Sequence, residues 1–258
     1  RCADVTGVQT CALPIYWKQR EGISNNAFEG CYKLVEVLNL SSLTITKGSA
    51  GNGYVGYYAL NVRTSADAGS KLVTKDGYQF YEDGDTVYLL GYLGTETRLT
   101  LPEKSPGGKR YSIYRYAFDG CTGLTSIIIP NSVTSIGDSA FSFCTGLTSV
   151  TIGSGVTSIG NAAFIFCTGL TSVTIGSGVT SIGDSAFSSC TGLTSITIPN
   201  SVKSIEERAF FDCTSLISIR YSGAMTAWRN LSKGTSWNEG TGNYIVYCSD
   251  GQISKQAE

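Results

Sequence analysis

The chain of 258 residues contains no histidine, one methionine and five prolines. Without histidine, neither a Ser-His-Asp nor a Cys-His arrangement can be assembled. No apolar run approaches the roughly 20 residues that a membrane-spanning helix requires. Charge is scarce as well. The formal net charge is −1, and between Cys121 and Val202 only Asp138 and Asp184 carry any. With no basic patch, nucleic acid is not an expected partner. No glycine-rich loop precedes a helix at phosphate-binding spacing, and no CxxC pairs offer a tetrahedral metal site, so no cofactor is expected.

What the sequence does have is repetition. Cysteines at 121, 144, 167, 190 and 213 step by 23 residues, as do phenylalanines at 118, 141, 164, 187 and 210. Leucines at 124, 147, 170, 193 and 216 keep the same step. A fixed period of this length marks a solenoid, whose units bury their apolar faces only by stacking. Within a unit, Leu147-x-x-Val150-x-Ile152 alternates as a strand does, and successive units place such strands side by side about 4.8 Å apart. Gly153-Ser-Gly155 or Pro130-Asn-Ser132 then turns the chain. Val156 and Ile159 point inward from a second short extended side. Asp138 is placed to cap a single helical turn over Ser139-Ala-Phe-Ser-Phe-Cys144, and the stacked phenylalanines are expected to form an aromatic spine.

The pattern C-x-x-L-x-x-[IV]-x-I-[PG]-x-x-V-x-x-I-G-x-x-A-F-x-x-C resembles the BspA-like bacterial leucine-rich repeat. The match runs through 113–221 and recurs in Ile23-Ser-Asn-Asn-Ala-Phe-Glu-Gly-Cys31. The resemblance implies an α/β solenoid with a parallel sheet on its concave side and short helical turns opposite. It also implies a binding or adhesion module of a cell-surface protein from a host-associated bacterium.

Four segments follow. Residues 1–15 include Val5-Thr-Gly-Val-Gln-Thr-Cys-Ala-Leu-Pro-Ile15, which looks like a translated sequencing adapter. They are set aside as a scar, so the source is expected to be metagenomic and the native N-terminus to be missing. Residues 16–110 hold atypical repeats. There Asn39 stands where later units have Ile, with Leu40 expected to compensate, and 54–62 reads as a turn grown into a helix. Residues 76–94 read as an inserted β-hairpin, with Asp83-Gly84 between two strand-like runs. Residues 111–221 are the regular repeats. Residues 222–258 read as a cap, with Trp228 and Leu231 on a helix and a hairpin at Asp250-Gly251. Setting aside Cys2 and Cys11 leaves seven of the nine cysteines. The five in the ladder are expected to be buried thiols.

Three surfaces are candidates for binding. The first is the concave array Ser149, Thr151, Ser172, Thr174, Ser195 and Thr197, flanked by Ser126, Ile128, Ser218 and Arg220; threonine is also simply a good strand former. The second is Phe143 and Phe166, with Ile165. The third is the tyrosine-rich region, since ten of the fifteen tyrosines lie between Tyr54 and Tyr116. Tyrosine supplies large contact area at low entropy cost. Tyr81, Tyr88, Tyr92 and Tyr114 near the hairpin are the candidate anchors. Glu82, Asp83 and Asp85 read as a solvated hairpin tip, and Glu206-Glu207 as acidic residues at a helix start. The expected function is non-catalytic recognition of a protein or glycan, of a host or neighbouring cell, at the cell surface or outside it. The alternative is an ice-binding or purely structural solenoid using the Ser-x-Thr face.

Overall fold

The computed structural model describes residues 28–257 apart from 33, 40–42, 53 and 65–68. The adapter-like stretch 1–15, Leu40 and the 23–27 part of the first repeat match lie outside the described residues.

The repeats coil into a parallel β-solenoid with two sheets, of eight and nine strands. In Ser149–Ile152 the alternation works as read: Val150 and Ile152 are buried and Thr151 is exposed. Its neighbours pair in parallel and without slippage, Val150 against Val173 and Val173 against Ile196. The second sheet takes the short strands Val133–Ile136, Ser158–Ile159, Ser181–Ile182 and Ser204–Ile205, again parallel. Threonines beside the strands tie the coils together. The hydroxyls of Thr148 and Thr171 each donate to the carbonyl of the threonine 23 residues earlier, at 2.9 Å. At the Gly153-Ser-Gly155 turn a Cβ on residue 153 would lie 2.6 Å from the Pro130 carbonyl carbon. Glycine is therefore required there for close stacking.

The third side differs from expectation. Residues 139–144 form consecutive turns, not a helical turn. Ser139 and Phe143 are left-handed, with φ of 52° and 56°, and the same two positions are left-handed in each following coil. The physical reason lies in where the N–H groups go. Those of Ser139, Phe141 and Phe143 donate to Asn161, Ala163 and Ile165 of the next coil, while Ser142 and Cys144 bond three residues back. A helix would keep all of these bonds within one coil. Asp138 accepts the Asn161 N–H at 2.8 Å, so its carboxylate joins neighbouring coils.

The aromatic spine is present. Phe118, Phe141, Phe164, Phe187 and Phe210 stack with centroids 5.0 to 5.4 Å apart and nearly parallel planes. Trp237 closes it edge-on, 6.1 Å from Phe210. Trp228 and Leu231 are buried as expected, although the helix is only Met225–Arg229. The hairpin Ile245–Cys248 with Gly251–Ser254 completes the eight-stranded sheet.

The inserted hairpin is larger than the sequence reading and more integral. Leu72–Lys75, Tyr78–Asp83 and Thr86–Tyr92 make an antiparallel meander, and its last strand pairs in parallel with Tyr111–Ile113. It therefore ends the nine-stranded sheet. Asp76 and Gly77 both have positive φ, a tight-turn pair that the reading passed over. The second turn falls on Gly84-Asp85, one residue later than expected, because Asp83 pairs with Thr86. Beyond it, Glu36–Leu38 and Asn61–Arg63 form a separate parallel pair. The described part of 54–62 is turns leading into that strand, with no helix. Asn39 is buried and donates its side-chain amide to the Leu43 carbonyl at 2.8 Å.

Candidate binding surfaces

The outward column of the eight-stranded sheet runs Thr100, Ile128, Thr151, Thr174, Thr197, Arg220 and Tyr247 in register. The parallel column contains Ser126, Ser149, Ser172, Ser195 and Ser218. The structure thus brings all six Ser/Thr candidates onto one face, with Thr151 and Thr174 exposed and Thr197 half-buried. No anchoring ring interrupts the three threonine rungs, although Tyr247 is 44% exposed at the column's C-terminal end.

Phe143 and Phe166 point outward from the turn side, 50% and 39% exposed, and stack on each other with centroids 5.0 Å apart. Both sit at left-handed backbone positions, with φ of 56° and 57°. Ser189 and Asp212 occupy that place in the next two coils. A bulky residue there is an outlier that costs backbone energy.

The hairpin tyrosines are placed otherwise than expected. Tyr81 and Tyr114 are 3% and 8% exposed and share an apolar cluster with Val35 and Leu90, with Tyr88 packed against it. Strand alternation explains this: Phe80 and Leu89 face the main core, and Tyr81 and Leu90 face the N-terminal unit on the other side. Burial, with the Asp83 carboxylate beside it, pushes the Tyr81 phenol up to about 12. Tyr92 packs on Tyr78 at 4.7 Å and donates to Glu96. These rings weld the meander to its neighbours and leave little surface for a partner.

The exposed tyrosines are others. Tyr32 stacks on Tyr116 at 4.2 Å and meets Tyr58 edge-on at 5.0 Å. Tyr57 is edge-on to both Tyr58 and Tyr54, at 4.8 and 5.3 Å. The Arg115 guanidinium lies 5.4 Å from the ring centres of Tyr58 and Tyr114. Tyr32 and Tyr57 are 36% and 42% exposed. Sequence reasoning registered the enrichment between Tyr54 and Tyr116 but singled out Tyr81 and Tyr114, which are buried, and not Tyr32 and Tyr57, which are exposed. The one available signal was that Tyr114-Arg-Tyr116 opens the first regular turn segment.

The acidic tip is neutralised locally. Lys71 pairs with Asp83 at 3.1 Å, Lys109 with Asp85 at 3.3 Å, and Glu82 accepts the Gly107 N–H at 3.1 Å. Glu207 lies beside Arg208 at 3.7 Å, in a turn and not at a helix start. Among the described residues no group of three or more His, Cys, Asp or Glu could hold a metal ion. No helix among them is long and apolar enough to cross a membrane.

The sequence of 111–232 matches the BspA type leucine rich repeat region, in six copies. No curated protein matches the chain. Among solved structures, a leucine-rich repeat protein of T. pallidum is 30% identical over 64% of this chain and 81% of that one, with a TM-score of 0.54. A leucine-rich cell surface protein of Faecalibacterium prausnitzii is 32% identical, with a TM-score of 0.48, over 72% of this chain and 56% of its own. The 23-residue register, the parallel pairing of successive coils, the six repeat copies and the likeness to the T. pallidum protein agree, and the chain belongs to the BspA-type leucine-rich repeat family.

Proposed function

We propose that the chain is a non-catalytic binding module that recognises a protein or glycan of a host or neighbouring cell, displayed at the bacterial surface or secreted. The observation that carries this reading is the aromatic exposure on the turn side, at Tyr32, Tyr57, Phe143 and Phe166. Exposed aromatics of this kind dominate recognition energetics, and those at 143 and 166 are held at a backbone cost. The rigid stack behind them supplies preorganisation, which lowers the entropy that binding must overcome. At the hairpin tip Asp83 and Asp85 pair with lysines and Glu82 accepts a backbone N–H.

The test is retention of the purified chain on immobilised extracellular-matrix proteins and on neutral and acidic glycans, read by interferometry. Saturable binding that weakens when the exposed rings are removed is the expected result. Absence of saturable binding across the panel would sink the reading.

An ice-binding face is the second possibility, favoured by the in-register column Thr151, Thr174 and Thr197. Only three rungs separate Ile128 from Arg220, which is short for a repeated lattice match. A thermal-hysteresis measurement is expected to show none.

A further inference from the structure

We infer that the tyrosine cluster around Arg115 is a site for a carboxylate-bearing saccharide, such as a uronic or sialic acid unit of a glycan. The inference deepens the binding-module reading and rests on it.

The argument begins with charge. At this end of the solenoid Arg63 pairs with Glu36, Lys71 with Asp83 and Lys109 with Asp85. Arg115 has no such ion pair among the described residues. Its Nε is buried without a hydrogen-bond partner. Its guanidinium lies 5.4 Å from the ring centres of Tyr58 and Tyr114. A guanidinium partly stripped of water and held between rings keeps a planar fork of donors, which matches a carboxylate in two bonds.

The surroundings narrow the partner further. The exposed members, Tyr32 and Tyr57, are flat rings edged by hydroxyls. Tyr32 is braced from behind by Tyr116, stacked at 4.2 Å. A pyranose suits such a surface. Its C–H face carries slight positive charge and lies on the negative face of an aromatic ring, while its hydroxyls meet the phenols. Tyr116 itself adds a second sign of purpose. It is left-handed, with φ of 58°, at the place where the following coils carry Ser139, Ala162, Ser185 and Arg208. A large aromatic ring is thus kept at a left-handed position where three of the four following coils carry serine or alanine.

The experiment is calorimetric titration of the full chain with a hyaluronan decasaccharide and with sialyllactose, the two acid sources. The methyl-esterified decasaccharide, lactose and poly-L-glutamate serve as controls. The expected result is binding to at least one acid probe, weakened about tenfold or more by esterification, by Arg115→Met and by Tyr57→Ser, in line with a desolvated cation–anion contact and a stacked ring. Phe143→Ser leaves that affinity unchanged. Thermal melts accompany each variant. If Arg115→Met melts early, Tyr57→Ser, at an exposed position, carries the test alone. Three results overturn the inference: neither acid probe binds; poly-L-glutamate binds as tightly, which points to an acidic peptide; or binding persists unchanged in Tyr57→Ser. If neutral glycans or matrix proteins bind while neither acid probe does, this inference fails and the binding-module reading stands. If nothing binds, both fail.

Discussion

The thiol of Cys167 donates to the main-chain oxygen of Phe141, in the preceding coil, at 3.1 Å. Cys144, Cys190 and Cys213 repeat the bond to Phe118, Phe164 and Phe187 at the same distance. The ladder is thus a column of thiol donors, and all four are buried. Slow native reaction with a maleimide is expected at these four positions, and rapid reaction after denaturation. Fast native labelling of Cys144 or Cys167 would contradict it.

The same column makes stability depend on alkaline pH. Burial raises the Cys213 thiol from its ordinary value of 9.0 to about 12. A thiol that stays protonated longer in the fold than in the unfolded chain stabilises the fold fully below the unfolded value. That contribution is lost as pH climbs through the window from 9.0 to about 12. Denaturation midpoints measured across this range should fall for the native chain and fall less for Cys213→Ala.

Phe164 lies between Phe141 and Phe187, with centroids 5.0 and 5.1 Å away, and is wholly buried. Truncation removes a ring that two coils pack against. Phe164→Ala is expected to cost roughly 3–5 kcal/mol in chemical denaturation, the usual range for a core aromatic. A loss under about 1 kcal/mol would show that the spine is not a source of stability.

Much of this architecture was legible because it is encoded locally and then repeated. Val150 and Ile152 alternate with Ser149 and Thr151, and a strict period tells each strand where its neighbour lies. The turn side was not legible. Ser139 and Phe143 are left-handed because their N–H groups serve the next coil, and no local propensity reports a partner 22 or more residues away. The burial of Tyr81 and the exposure of Tyr57 were not legible for a related reason. Tyr57 and Tyr81 are the same side chain in the same rich segment, but one lies on a turn and the other on the inner face of a meander. That meander was itself half-read, because Asp76-Gly77 carries the same kind of turn signal as Asp83-Gly84 and was not used.

The left-handed turn positions offer a stabilising change. Ala162 has φ of 52°. A side chain there costs about 1–2 kcal/mol, whereas glycine adds about 0.5–1 kcal/mol of unfolded-state entropy. Ala162→Gly should therefore raise stability by roughly 0.5–1 kcal/mol, read as a shift in the denaturation midpoint. A loss of stability would mean that the methyl group packs more than it strains.

Glu36 is a carboxylate fully enclosed in the N-terminal unit, and the sequence reading did not single it out. It pairs with Arg63 at 2.9 Å and accepts bonds from the Ser70 hydroxyl, the Lys71 N–H and the Asn61 amide at 2.8, 2.9 and 3.3 Å. Those partners lie on the strand beside it and at the start of the meander, so one carboxylate holds the separate parallel pair to the nine-stranded sheet. Removing it breaks a buried ion pair and takes the acceptor from three further donors, a change that typically costs about 3–5 kcal/mol. The coils from 111 onward keep their own core and none of these contacts. Glu36→Ala should therefore act locally: amide exchange should accelerate across Glu36–Leu38 and Asn61–Arg63, while Ser149–Ile152 stays protected. Uniform loss of protection along the whole chain would show that the N-terminal unit and the regular coils unfold together, and that the repeats cannot stand without their first end.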